Sequence, residues 1–170
     1  YTFFMRQFLR TPSYKSVVNG GYKFYRKLRK SLGWWDDDGG HQAVETAKDI
    51  VSSVNDPFFL FINFIETHDP YRPPRSYLRD FLPDDASFSE VKSALNYVST
   101  RATAGLQEIT PRERELLLAL YDAEINYVDD LIREFVEFLE AEGLREDTVI
   151  VVLSDHGDAF GEHGLWGHQG

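Results

Sequence analysis

Four of the five histidines in this 170-residue chain fall in two short polar segments. The first is Glu66-Thr67-His68-Asp69-Pro70-Tyr71. The second opens as Ser154-Asp155-His156-Gly157-Asp158 and continues through Gly161-Glu162-His163-Gly164 to Gly167-His168-Gln169-Gly170. Asp155 followed by His156 offers a carboxylate for charge and an imidazole as neutral donor, a pair suited to a hard divalent cation. Five glycines within residues 157–170 let the backbone approach an anion without obstruction by a Cβ. A cation flanked by histidines can hold and polarise an oxyanion such as sulfate or phosphate. Asp-His-Gly alone is a weak signal, but the full Ser-Asp-His-Gly-Asp-x-x-Gly-Glu-His-Gly-x-x-Gly-His string favours a metal-assisted site over a polar turn.

Each segment follows a short apolar run, Phe58–Ile65 in one case and Thr148–Leu153 in the other. Short, nearly continuous apolar runs bounded by turn residues predict strands buried on both faces. Ala43, Val44, Ala47, Ile50, Val51 and Val54 recur at helical spacing and predict an amphipathic helix of about 13 residues. The segment from His68 to Ser87 carries four prolines and is expected to be a loop, followed by a short helix near residues 88–98. Thr110-Pro111-Arg112-Glu113 reads as an N-cap, a first-turn proline and a capping-box acid. The helix it starts carries Leu117, Leu120, Tyr121, Glu124, Ile125, Val128, Leu131, Ile132, Phe135 and Leu139 on one stripe and ends at Gly143. Asp129 and Asp130 are expected on its solvated face. Helix, strand, helical crossover, strand is the order of an α/β fold with a parallel sheet. Such sheets bind ligands beyond the carboxyl ends of their strands. Neighbouring parallel strands would deliver His68, Asp155, His156 and His168 to one edge.

Composition narrows the classes. With 42% hydrophobic and 15% aromatic residues the chain has enough apolar material for a core. It has no cysteine, which excludes a disulfide, a thiolate metal site or a cysteine nucleophile within these residues. No apolar run approaches the length of a membrane span. No leader follows Tyr1, and the missing initial Met suggests a piece of a longer protein. The net charge of −10 is uneven: residues 1–35 carry eight Lys or Arg and no acid, interleaved with ten aromatics. Residues 1–40 are therefore set apart as a basic aromatic segment of uncertain structure from residues 41–170, which carry both histidine segments and which the resemblance described next implies are part of a catalytic domain. A basic aromatic stretch can contact nucleic acid or an anionic membrane. A surface segment docked on an acidic body is the favoured alternative, and no nucleic-acid partner is expected.

Ser154 to Gly170 resembles the metal-binding segment of the sulfatase family, within the alkaline-phosphatase-like superfamily. Phe58 to Pro74, an apolar run leading to His-x-Pro-Tyr, resembles the family's second active-site strand and loop. Tyr121-Asp122-Ala123-Glu124-Ile125 with Val128-Asp129-Asp130 resembles the helix between them. The resemblance covers roughly residues 40–170 and implies a mostly parallel sheet flanked by helices. It further implies that Asp155 and His156 bind Ca2+ or Mg2+, and that His68 contacts the sulfate and assists the departing oxygen. His168 falls where many members carry a sulfate-binding lysine; a histidine there titrates near neutral pH and would make activity pH-dependent. Glu162 and His163 lie in a variable part of the pattern, either behind the ligands or on the loop surface.

The family's nucleophile comes from a Cys/Ser-x-Pro-x-Arg segment and is oxidised to formylglycine. Thr11-Pro12-Ser13 does not fit that pattern, and Asp36-Asp37-Asp38 is a poor match to the family's aspartate pair. The expectation is thus the central part of a hydrolase that splits a small-molecule or glycan sulfate ester, inactive without its upstream nucleophile. The alternatives are a phosphoryl or phosphonate hydrolase of the same superfamily, and a non-catalytic binding protein with a degenerate site. The organic part of the substrate, the oligomeric state and the compartment have no readable code.

Overall fold

In the computed structural model the described residues are 37–54, 57–97 and 109–168. The chain divides into two compact units, Tyr1–Trp35 and Asp36–Gly170. The basic aromatic segment expected over residues 1–40, Thr11-Pro12-Ser13 and Asp36 lie outside the described residues, except for residues 37–40. The second unit contains α1 (Gly40–Ser53), α2 (Arg75–Leu78), α3 (Phe88–Tyr97) and α4 (Pro111–Ala141), then β1 (Ala159–Phe160) and β2 (Trp166–Gly167). α1, α2 and α3 all pack against α4, a 31-residue helix. Among the described residues no helix is long and apolar enough to cross a membrane.

Local chemistry starts each of the longer helices. At α4 the Thr110 hydroxyl accepts from the Glu113 amide at 3.2 Å and the Glu113 carboxylate accepts from the Thr110 amide at 2.8 Å. This reciprocal pair, with Pro111 in the first turn, satisfies donors that a bare helix start leaves open. Ser87 and Glu90 make the same exchange before α3, at 3.3 and 2.9 Å. At α1 the Asp37 carboxylate accepts from the amides of Gly39 and Gly40 at 2.9 and 2.6 Å. That places its charge at the positive end of the helix. Asp37 is thus engaged in starting a helix. Gly40 is required by proximity: a Cβ there would lie 2.5 Å from Leu131 Cδ1 and 2.8 Å from Glu66 Oε1.

The core lies along α4. Leu116, Leu117, Leu120 and Leu139 are fully buried, and Val44, Tyr127 and Leu131 form a cluster covered by Phe64, Tyr77 and Phe135. Ile125, expected on the buried stripe, is exposed, one position round the helix from buried Glu124. Asp130 is not simply solvated, because its carboxylate accepts from the Tyr77 hydroxyl at 2.9 Å and from Arg133 at 2.6 Å.

Two expectations differ from what the described residues show. No ladder forms along the runs 58–65 and 148–153 among the described residues, so the expected parallel sheet is not seen there. A strand is defined by a neighbour's hydrogen bonds, and neither run has one there. Residues 58–65 still show the cover of a strand lying on helices. Leu60, Ile62 and Phe64 are half-buried, while Phe59 (89% exposed), Phe61 and Ile65 are open. Val149, 90% exposed, and Leu153 are similarly uncovered. The sheet seen among the described residues is the antiparallel pair β1–β2, with Ala159 opposite Gly167 and Phe160 opposite Trp166. The second correction is that His68–Ser87 is not all loop, since Pro74 leads into the single turn of α2.

Among the described residues, Glu66 and Glu124 are buried acids, each 3% exposed. Glu124 on α4 accepts from the Arg72 amide at 2.7 Å. Burial outweighs that bond and pushes its pKa up to about 8, with the charge of Glu66 adding to the effect. Neither oxygen of Glu66 has a hydrogen-bond partner, and burial raises its pKa as well. A neutral carboxyl is the form that a desolvated site favours.

The sign of the resulting pH dependence follows. Between the ordinary carboxyl value of 4.5 and about 8, folded Glu124 retains a proton that the unfolded chain has lost. Stability therefore falls as pH rises through that window. We expect the urea midpoint of the protein to decline from pH 5 to 8, an interval of about 3 units within that range, and the decline to be shallower in Glu124→Gln. Glutamine keeps the acceptor for Arg72 without the charge. Glu124→Ala leaves that amide unpaired and should cost about 1–3 kcal/mol throughout. An unchanged slope in the Gln variant would contradict this account.

Candidate functional site

The site is built by two loops and one helix. The first loop turns sharply after residue 65, where the His68 amide donates to the Ile65 carbonyl at 3.0 Å. It continues through a cis Asp69–Pro70 peptide to Tyr71 and is fixed at Arg72 by Glu124. The second loop follows residue 153 and is closed by the β1–β2 hairpin. The hairpin reverses through Gly161, whose φ of 103° and approach to the Trp166 ring leave no room for a side chain. Arg114 on α4 holds the hairpin by donating to the Phe160 carbonyl at 2.5 Å and to Glu162 at 3.1 Å.

Tyr71 joins the loops. Its ring is buried against Tyr121 of α4 and Phe160 of the hairpin, with centroids 5.2 and 5.7 Å away. Its hydroxyl donates to the Asp158 carboxylate, and burial together with that bond holds the phenol well above its ordinary pKa. The other Asp158 oxygen lies 2.8 Å from His168 Nδ1.

Above this joint three imidazoles come together. The ring centroids of His156 and His168 are 4.4 Å apart, and those of His68 and His168 are 5.1 Å apart. Asp155 is beside them, with Oδ1 at 3.0 Å from the His156 amide and 3.8 Å from His156 Nε2. All three rings direct Nδ1 at an oxygen of the chain: the Asp69 carbonyl at 2.6 Å, the Gly157 carbonyl at 3.2 Å and Asp158. Oxygens of this kind accept, so Nε2 is the nitrogen each ring has left for a ligand. Burial pushes the pKa of Asp69, in the same loop, upward.

Among the residues expected from the sequence, His68, Asp155, His156 and His168 are thus brought together. Glu162 and His163 are not part of that group. Glu162 accepts from the Phe160 amide at 2.5 Å and from Arg114, which makes it a brace of the hairpin. His163 is exposed in the turn with a φ of 56°. His41 stands on α1 with Glu134 at 3.9 Å. The structure adds Tyr71, Glu124 and Asp158. Tyr71 and Asp158 stand inside the very strings that mark the loops, but their type and spacing do not tell an anchor from a ligand.

Two donor sets could hold a cation. His156, Asp158 and His168 each offer one atom within 4.8 Å of the others. Both oxygens of Asp158 are already engaged, and its side chain is 4% exposed. The Asp155 side chain is 92% exposed next to His156, so its carboxylate is the one open to an ion. An open carboxylate with a neutral nitrogen fits a divalent cation.

A family model described as Sulfatase matches residues 14–170. The chain is 27% identical over 128 residues to a choline-sulfatase of Rhizobium meliloti, covering 65% of this chain and 23% of that protein. It is 25% identical over 154 residues to human iduronate 2-sulfatase, covering 77% and 27% respectively. A shorter match, 33% identical over 66 residues, links it to the phosphoethanolamine transferase EptA of Salmonella typhimurium, covering 39% of this chain and 12% of that protein. The chain spans about a quarter of the length of the sulfatases it matches. No solved structure matches it. With nearly its whole length matched by the family model, and with its histidine loops meeting at one place, the chain belongs to the sulfatase family, whose fold is α/β and alkaline-phosphatase-like.

Proposed function

We propose that the protein carrying this chain hydrolyses sulfate esters, small-molecule or glycan, at the place where His68, His156, His168 and Asp155 meet. The observation that carries this reading is the convergence of three imidazoles and an open carboxylate from two loops distant in sequence. Asp155 and His156 would hold one divalent cation, Ca2+ or Mg2+. When bound, the cation polarises the oxygens of the ester and offsets their charge. When protonated at Nε2 as well, His68 and His168 would donate to the sulfate oxygens, and His68 would pass that proton to the departing alcohol. No residue of this chain fits the nucleophile; a formylglycine from a segment outside these residues would attack sulfur.

A second reading, phosphoryl transfer, is favoured by the match to a phosphoethanolamine transferase. Sulfate and phosphate share a tetrahedral shape, and His168 meets either. The choice is made by assaying the whole protein on paired aryl sulfate and aryl phosphate esters. We expect sulfate turnover that a chelator abolishes and calcium or magnesium restores. His68→Ala should lower it by roughly 10²–10⁴-fold. Asp155→Ala should remove the restoration by metal. The isolated 170-residue stretch should not turn over. Faster phosphate cleavage would select the second reading, and full activity in Asp155→Ala would overturn both.

We also infer that the runs 58–65 and 148–153 are members of a mostly parallel sheet in the whole protein, with neighbours from outside these residues. Their apolar character on both faces supports this. Amide hydrogen exchange of residues 60–64 and 150–152 in the whole protein should be as slow as in the middle of α4. Rapid exchange there would refute it.

A further inference from the structure

We propose that Arg72 is a specificity-determining residue beside the imidazole cluster: its guanidinium pairs with a second anionic group, a carboxylate or a further sulfate, on the organic part of the ester. The substrate is then itself an acid, such as an acidic sugar or an aryl acid, and not a neutral or cationic alcohol. The inference deepens the sulfatase reading and rests on it for the reacting group, but not for the second contact.

The chain is acidic, with 28 Asp and Glu against 18 Lys and Arg, so a base finds a partner easily. Lys48 meets Glu45 and Glu134, Arg112 meets Asp85 and Glu115, Arg114 meets Glu162, and Arg133 meets Asp130. Arg72 is half-buried, yet its hydrogen bond is made by the main-chain amide, to Glu124, and among the described residues its guanidinium has no ion pair. Its backbone is fixed on both sides. Tyr71 before it is packed against Tyr121 and Phe160 and bonded to Asp158, which in turn meets His168. After it comes Pro73, fully buried, then Pro74, and the two rings stiffen the chain by fixing φ. The side chain thus leaves a rigid stem one residue from the joint of the two loops and four from His68. The Asp69 carboxyl, whose pKa burial raises, is within electrostatic reach of His68, His168 and Arg72 alike. The guanidinium and the two rings therefore border one place. No acid occurs from residue 70 to 79, where Arg75 and Arg79 follow exposed. A charge half out of water without a counter-charge is a cost that an incoming anion relieves. The planar fork of a guanidinium suits a carboxylate or a sulfate, which it meets with two parallel hydrogen bonds.

The test compares probes that carry one anionic group or two and cannot be hydrolysed. The whole protein, loaded with calcium or magnesium, is titrated calorimetrically with benzenesulfonate, with 3- and 4-sulfobenzoate and with 1,3-benzenedisulfonate. The best of the doubly charged probes should bind about 10- to 100-fold more tightly than benzenesulfonate, as expected of a charge-assisted pair. Whether it is a sulfobenzoate or the disulfonate tells a carboxylate from a sulfate as the second group. In Arg72→Gln, which keeps the amide that Glu124 accepts, the ratio should fall about 10-fold or more. Arg72→Lys, with the charge but not the fork, should keep part of it. The corresponding esters, phenyl sulfate and the carboxyphenyl sulfates, should differ by the same ratio in KM and little in kcat. Equal binding of all the probes by the unsubstituted protein would overturn the proposal, and that measurement needs no variant to fold. A ratio that survives unchanged in Arg72→Gln would overturn it too. If the probes behave as expected but no sulfate ester is cleaved, the second contact stands and the sulfatase reading fails. If esters are cleaved while the probes bind equally, the reading stands and the role of Arg72 fails.

Discussion

A hydroxyl from one loop meets a carboxylate from the other, 87 residues later, and the site depends on that contact. Tyr71 and Asp158 are the point at which the His68 loop and the His156–His168 loop become one structure. Neither loop has a sheet beneath it among the described residues, so relative position must come from side chains. The ring of Tyr71 supplies shape by filling the space between Tyr121 and Phe160, and its hydroxyl supplies direction. Aromatic packing alone would tolerate sliding; a directional hydrogen bond to a carboxyl group does not. Arg114, gripping both Phe160 and Glu162, transfers the rigidity of α4 to the same point.

α4 is therefore more than the crossover that the topology requires. Its buried side bears the leucines of the core and also Glu124, which holds the first loop at Arg72, and Tyr121, which backs Tyr71. A carboxyl in such surroundings is costly, and the raised pKa of Glu124 expresses that cost. In its neutral form the group still accepts the Arg72 amide. Glu66 is harder to account for by packing, because both of its oxygens are buried without a partner. It stands two positions before His68, with Gly40 pressed against it.

What the sequence made legible was what local chemistry decides. The capping box at Thr110 and Glu113, the stripe down α4 and the amphipathic pattern of α1 each depend on residues a few positions apart, and each is present. The two histidine loops could be located because motif strings are local as well. Strand pairing is not local. Residues 58–65 and 148–153 have strand composition, but they find no ladder partner among the described residues. The division of labour inside the site was equally out of reach. Asp155 and Asp158 are the same residue type three positions apart; only the fold makes one open and the other enclosed. Glu162, in a variable part of the motif, could stand behind the ligands or on the loop surface; its carboxylate accepts from Phe160 and Arg114 and braces the hairpin.

The same distinction explains how an exposed cluster can be specific. Asp158, Glu124 and Glu162 have hydrogen bonds committed within the chain, to Tyr71, Arg72 and Arg114. Asp155 and the Nε2 atoms of His68, His156 and His168 are the groups left over, and they belong to residues on the open side. A ligand arriving there meets donors and acceptors whose orientation is already settled by bonds on their far side. It need not order them, and the entropy of doing so is not charged against binding. A tetrahedral oxyanion suits such a place, because it can engage a cation on one face and imidazoles on another. The closeness of the three rings, each held through Nδ1 by an oxygen of the chain, is what turns three separate histidines into one surface for it.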